Sequence, residues 1–249
     1  MDENIKMSKV SVILPAYNCL PFIKQSVESI LNQTFTDFEL IIVEDGSKDK
    51  IRDYLFSLTD PRIKLIVHIK NQGLVTSLND ALRLSTSEYI AVQHGDDVSV
   101  LNRLQKQISY LDTHPDIHFV STCAKFINEH DVMNPKDSWW LKQIKRAPED
   151  PRAVADKLLE MNFLVHTSVM FKRCVLDVGV YDAEMVPAED YDLFLRISDK
   201  YNIAIMKEVL VYYREHSNQI SKTTTSTGES LMQLKAKEAI RRTKIRRGK

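Results

Sequence analysis

The sequence predicts an α/β domain: a mostly parallel central sheet flanked by helices, followed by a helical tail. Three observations predict it. Short apolar runs alternate with helical patterns four times in about the first hundred residues, the signature of strands joined by crossover helices. Each apolar run ends in polar loop residues, which parallel pairing gathers on one edge of the sheet. The chain has 249 residues, 43% hydrophobic and 27% charged, an ordinary globular composition that suits one large domain or two small ones.

Taken in order, Val10 to Leu14 reads as a buried strand ended by Pro15, with Ala16, Tyr17 and Asn18 in the loop beyond. A helix is expected from Pro21 to Asn32, with Ile23, Val27, Ile30 and Leu31 at helical spacing. Phe38 to Val43 forms a second strand running into Glu44-Asp45-Gly46-Ser47, then a helix near Lys48 to Leu58. Ile63 to His68 forms a third, followed by Asn71-Gln72-Gly73 and a helix near Val75 to Leu84. The fourth strand, Tyr89 to Val92, stops at Gly95 and presents Asp96 and Asp97. A helix follows from about Val100 to Asp112 with Leu101, Leu104 and Ile108 on one face, and then a strand near Ile117 to Phe126.

Crevices outside the carboxyl ends of such strands are the usual ligand sites, and the residues converging there suit a nucleotide. Tyr17 is placed to flank a base, and Asp45 either accepts from a base N–H or forms a turn before Gly46. Neither a P-loop nor a G-x-G-x-x-G fingerprint is present, and the chain has only six glycines. The phosphates therefore need another source of positive charge. Paired carboxylates at Asp96 and Asp97 form a hard oxygen site for Mg²⁺ or Mn²⁺, the alternative being a turn that caps the next helix.

The polar segment 128–150 is read as irregular, with Trp139 and Trp140 either forming a platform for a sugar ring or packing on the core. His166, beside the strand Val169 to Phe171, is either a hydrogen-bonded structural histidine or a site residue. Glu189-Asp190 opens a helix. Helical spacing puts Asp190 with Leu193, Phe194 and Ile197 on the buried face, and Asp192 with Arg196 and Asp199 on the solvated one. A buried carboxylate there is a candidate general base, or else an N-terminal cap. Ile203 to Tyr213 reads as the last strand. The tail from Glu229 to Lys249 is a basic helix with a thin stripe of Leu231, Leu234 and Ile245, either a solvated helix or a surface for anionic membrane.

Formal net charge is zero, so composition does not point to nucleic acid. Cys19, Cys123 and Cys174 have no metal-ligand spacing, the N-terminus lacks signal-peptide order, and no apolar run approaches the ~20 residues of a bilayer span. A cytoplasmic protein is expected, with peripheral contact at the inner membrane face if the tail binds lipid.

With these residues placed, the chain resembles glycosyltransferase family 2, of GT-A fold. Val10 to Asn18 is similar to the family's opening strand and nucleotide-contacting loop. Ile41-Ile42-Val43-Glu44-Asp45-Gly46-Ser47 resembles its "VDDGS" motif, with Glu44 in place of the usual first Asp. Asn71-Gln72-Gly73 with Asn79 matches another segment, Gly95-Asp96-Asp97 the metal motif, and Glu189-Asp190 the pair whose second member is the catalytic base. Arg214 and His216 resemble the late basic motif near the diphosphate. No Q-x-x-R-W follows Asp190, as in the non-processive members.

The resemblance implies a nucleotide site of Pro15, Ala16, Tyr17, Asn18, Glu44, Asp45, Asn71, Gly73, Asn79 and Asp96. It implies Mn²⁺ or Mg²⁺ on Asp97 and His216, and Asp190 as base. Trp139, Trp140, His166, Glu189 and Arg214 fall to the acceptor or diphosphate. Residues 1–125 would form the nucleotide-sugar half, 126–221 the acceptor half, and 222–249 the basic tail. The implied activity is inverting transfer from a nucleoside diphosphate sugar, UDP-sugar first, to a glycan or lipid-linked acceptor in bacterial surface polysaccharide synthesis. The rival readings are a metal-dependent nucleotidyltransferase and a non-catalytic nucleotide-sugar-binding subunit.

Overall fold

A computed structural model describes residues 7–133, 139–217, 219, 220, 225 and 230–248, with backbone alone at 139–141. Four strand–helix units lead the chain: β1 (Val10–Ala16), α1 (Leu20–Leu31), β2 (Phe38–Glu44), α2 (Ile51–Phe56), β3 (Ile63–Val67), α3 (Leu74–Leu84) and β4 (Tyr89–Val92). The remainder is β5 (Val98–Ser99), α4 (Arg103–Thr113), β6 (Ile117–Asn128), α5 (Trp139–Lys145), α6 (Pro151–Leu158), β7 (Met170–Lys172), α7 (Glu189–Ser198), β8 (Asn202–Glu215) and α8 (Leu231–Arg246). All eight strands join one sheet in the order β3-β2-β1-β4-β7-β6-β8-β5. Only β7 and β5 run against the rest. The expected mostly parallel sheet is therefore present.

Alternation along β1 sends Val12 and Leu14 to one face and Ile13 to the other. The first face packs on α1, α2 and α4 through Ile23, Val27, Ile51, Leu55, Leu104 and Ile108. The second packs on α3, α6 and α7 through Val75, Leu78, Val154, Leu158, Leu193 and Phe194. Because both faces are covered, β1 and β2 are buried at every position, which is why their sequences are apolar without alternating.

Three expectations about faces are corrected. Leu101 does not join Leu104 and Ile108; it precedes α4, which starts at Arg103, and is 58% exposed. The two-residue strand β5 takes up the chain there and pairs with β8. Asp192 is buried, not solvated, and Asp190 is half-buried. Helix α7 is enclosed nearly all round, so a one-face pattern does not sort its residues; Asp192 is tolerated inside because Arg196 Nε donates to it at 2.8 Å. In α8 it is Ala239 and Thr243 that are buried, while Leu234 and Ile245 are exposed. Segment 128–150, expected to be irregular, carries α5 and ends at Asp150, the N-cap of α6, whose carboxylate accepts from Ala153 N. No helix among the described residues is long and apolar enough to cross a membrane.

Candidate active site

The carboxyl ends of β1, β2 and β4 lie side by side, since β1 pairs with both neighbours in parallel. Their loops interlock. Asn18 Oδ1 accepts from Lys48 N and Ser47 Oγ accepts from Asn18 N, tying the β1 loop to the β2 loop. Gly46 has φ +67°, and a Cβ there would stand 2.3 Å from Asn71 N, so only glycine lets the β2 and β3 loops touch. At Gly95 a Cβ would stand 2.8 Å from Cys19 Sγ, and the β4 loop closes on the β1 loop by the same means.

Asp45 is the knot of the base side. Its carboxylate accepts from Gln72 N and Gly73 N, each at 2.8 Å, and lies 2.7 Å from His68 Nδ1. His68 Nε2 lies 2.9 Å from Asp80. Glu44 is fully buried; it accepts from Ser47 N and from Arg52 Nε at 2.6 Å, so its side chain braces the loop from inside. Asn79 is likewise engaged, exchanging two hydrogen bonds with the backbone of Tyr181. Pro15 and Ala16 are buried in β1, whereas Tyr17, Asn18 and Asn71 are exposed at the rim, with Gly73 between. A groove of about 460 Å³ lined by Ile66, His68, Gln72, Asp80, Arg83 and Leu84 lies on this side and does not include the acidic cluster.

That cluster is His94, Asp96 and Asp97, whose ligand atoms all fall within 4.8 Å of one another. Strand β5 explains its placement: pairing with β8 brings Arg214 alongside, and Arg214 N donates to Asp97 Oδ1 at 2.8 Å. Asp97 is 1% exposed and its Oδ2 has no hydrogen-bond partner of normal geometry among the described residues. Burial, then the charge of Asp96, push the Asp97 carboxyl well above the usual range. Burial also acts to raise Asp96, but His216 Nε2, 3.0 Å away, and the neighbouring His94 outweigh it and hold Asp96 low.

An orphaned buried carboxylate oxygen beside a second carboxylate and an imidazole is a donor set that fits a divalent ion. His216, expected on the metal, places Nε2 3.0 Å from Asp96 Oδ2, beside the cluster. His94 was not anticipated; its position two residues before Asp96 at a strand end was the available signal.

Arg214 is buried beneath the same loop. It donates from Nε to Asp96 O, from one terminal nitrogen to Asn128 O and Asp131 Oδ1, and from the other to Gln25 Oε1, and it stacks on Phe22 at 4.7 Å. Its guanidinium thus shapes the acidic loop from behind.

The second acidic pair stands on a separate element. Asp190, in the first turn of α7, accepts from its neighbour's N–H (Tyr191 N, 2.6 Å) and from Asn162 Nδ2 at 3.4 Å. Burial raises its pKa to about 6. Glu189 is buried, with Oε2 unpartnered among the described residues, and burial followed by Asp190's charge raises it too. His166 lies between the two acidic groups: its Nδ1 is 3.1 Å from His94 Nε2 and its Nε2 is 2.8 Å from Tyr181 Oη. The side chains of Trp139 and Trp140 lie outside the described residues; their backbone opens α5.

A single mostly parallel sheet, with an acidic metal-type loop at its carboxyl edge and a raised carboxylate on a facing helix, defines the GT-A class of transferases. Residues 11–179 match the family model for glycosyl transferase family 2, and the chain belongs to that family. It is 30% identical over 195 residues to the UDP-Glc:alpha-D-GlcNAc-diphosphoundecaprenol beta-1,3-glucosyltransferase WfgD of Escherichia coli, covering 78% of this chain and 72% of that one. The Staphylococcus aureus TarS 1-349 structure in complex with UDP-GlcNAc superposes with a TM-score of 0.72 at 19% identity, over 88% of this chain and 62% of TarS 1-349. The mannosyltransferase PcManGT of Pyrobaculum calidifontis, in complex with GDP-Man and Mn²⁺, gives 0.65 at 17% identity, over 98% of this chain and 76% of that one.

Proposed function

We propose that this glycosyltransferase moves a sugar from a nucleoside diphosphate sugar, UDP-linked in the first instance, to an acceptor hydroxyl with inversion at the anomeric carbon. The observation that carries the reading is the orphaned Asp97 oxygen beside His94 and Asp96, set at the strand ends apart from Asp190. The nucleotide would lie over the rim residues Tyr17, Asn18, Asn71 and Gly73, on the loop that Asp45 holds in shape. Residues 1–125 would supply this half, and 126–221 the acceptor half.

His94, Asp96 and Asp97 would hold a divalent ion, which supplies positive charge for the diphosphate as it leaves. Asp190 takes the proton of the acceptor hydroxyl as its oxygen bonds to the anomeric carbon. The bond from that carbon to the diphosphate oxygen breaks on the opposite face. A carboxylate raised by burial is a stronger base than an ordinary one and is still ionised at neutral pH. Asn162 aims it, and Asn79 ties the Tyr181 segment to α3.

WfgD's name describes a lipid-linked saccharide acceptor. A polysaccharide or lipid-linked acceptor at the cytoplasmic membrane face is the corresponding proposal here, with Trp139 and Trp140 as candidates for the acceptor side. The basic tail contributes little to it. Arg242 pairs with Asp182 and Glu184, and Arg246 and Arg247 with Asp199, so α8 is fastened to the domain.

The test is a donor screen with Mn²⁺ and a panel of nucleotide sugars, reading which nucleoside diphosphate is released. Release of UDP from one UDP-sugar in the presence of an acceptor is expected. Pyrophosphate from a nucleoside triphosphate would instead indicate nucleotidyl transfer, and no product with any donor would indicate a binding subunit.

A further inference from the structure

Beneath the acidic loop lies a positive charge that the proposed chemistry does not use. Arg103, the first residue of α4, is fully buried. Its Nε donates to Gln107 Oε1 at 3.0 Å, one terminal nitrogen to Gln93 Oε1 and Ser99 Oγ, each at 3.0 Å, and the other to Val92 O at 2.8 Å and Val169 O at 3.2 Å. Every N–H of the guanidinium is therefore taken. All of these acceptors are neutral, and no acidic side chain among the described residues pairs with it. A buried cation without a carboxylate partner is costly, and a positive charge in the first turn opposes the dipole of its own helix. The hydrogen bonds account for the fork of this side chain but not for its charge.

Gln93 shows where the charge acts. Its amide oxygen accepts from Arg103 and its Nε2 donates to Asp97 O at 2.8 Å, so one side chain separates the guanidinium from the acidic loop. Gln93 and Asp97 are themselves buried, and water screens little of the field between them. Burial lowers the pKa of Arg103 to about 9, with the charge of Asp97 acting the other way, and the group is still cationic at neutral pH. A fixed charge in this place acts on two ligands in opposite senses: it repels a bare divalent ion and attracts a diphosphate.

On the reading of the site as a metal-dependent transferase, we propose that Arg103 is a positioning residue acting by its field, one that weakens the hold of the acidic loop on a free divalent ion and strengthens the hold of the site on a nucleoside diphosphate. The empty site is thereby kept from filling with metal alone. The sign does not depend on any proton the carboxylates hold before the ion arrives, because a double charge gains more than a single one from the same change of field.

The test reads binding, without turnover. Calorimetry gives the affinity for Mn²⁺ alone, for UDP with saturating Mn²⁺ and for UDP with chelator. The proteins are the unmodified chain, Arg103→Lys and Arg103→Met, at a temperature where circular dichroism shows each to be folded. Both substitutions lose the fork, and only methionine loses the charge. Arg103→Gln, neutral and still a donor, replaces the methionine variant if that one does not fold. Relative to Arg103→Lys, the neutral variant should bind Mn²⁺ alone about fivefold tighter and UDP about fivefold weaker, with or without the ion, as expected for one buried charge at this separation. A loop that had merely lost its support would hold both ligands less well. Equal affinities in the lysine and neutral variants, or losses of the same sign for ion and nucleotide, would overturn the proposal. The metal-dependent reading itself fails by a different result, an unmodified chain whose UDP affinity ignores Mn²⁺, and takes the proposal with it.

Discussion

Arg214 donates its backbone N–H to Asp97 Oδ1 at 2.8 Å while its own guanidinium, buried under the loop, donates to the carbonyl of Asp96. One residue of β8 thus grips both halves of the acidic pair, by main chain and side chain respectively. The acidic loop is therefore set by the sheet and not by its own turn preferences.

Arg214→Lys keeps the charge but cannot reach Asp96, Asn128, Asp131 and Gln25 together. Unpaired buried acceptors should lower stability by about 2–3 kcal/mol in urea denaturation. Mn²⁺ affinity, measured by calorimetry at a temperature where the variant is folded, should fall with it. An unchanged denaturation midpoint would show that the fork is dispensable.

Asp190→Asn should leave UDP affinity within about twofold and lower turnover by at least ~10²-fold, since only the proton acceptor is removed. Turnover at the unmodified rate would take Asp190 out of the role of base.

Asp190 also sets the expected pH dependence. With a pKa raised to about 6, the base is protonated in more acid solution, so kcat/KM should fall as pH drops through that value. The linkage to stability has the opposite sense. A carboxyl raised in the folded state favours folding fully below its unfolded pKa, and that contribution is lost as pH rises through about 6. Asp190→Asn should therefore melt higher than the unmodified chain at pH 7.5 and gain less at pH 4. Thermal melts at the two values decide this.

Gly46→Ala places a methyl group against Asn71 N at a left-handed backbone position. It should weaken UDP binding by about tenfold or more through a displaced 71–73 loop, while Mn²⁺ binding alone is retained. Loss of both to the same degree would mean that the base and metal loops do not move independently.

Ala239 is fully buried where α8 meets the domain. Ala239→Asp should cost about 2–4 kcal/mol by burying an unpaired charge. A solvated helix would tolerate it with no shift in denaturation midpoint.

Strands β1, β2 and β4 were legible because each is buried on both faces and so reads as a nearly unbroken apolar run; they fall within a residue or two of their expected positions. The acidic loop was legible because polar residues at the ends of parallel strands must converge. Side-chain roles were harder to read. Glu44 and Asn79 resemble nucleotide contacts, and the sequence does not announce the partners that hold them, Arg52 and the backbone of Tyr181. The placement of Asp192 was missed because Arg196 supplies it with a partner, which periodicity does not register. His94 escaped notice for a related reason: its place beside Asp96, Asp97 and His166 appears only once separate segments are folded together.

Calorimetric titration of UDP into the protein with Mn²⁺, and again with excess chelator, is the most direct test that the His94–Asp96–Asp97 cluster works on a nucleotide diphosphate. Binding should be at least ~10-fold tighter with the ion, because it screens the diphosphate from two carboxylates. Identical heats and affinities in the two titrations would contradict a metal-assisted transferase.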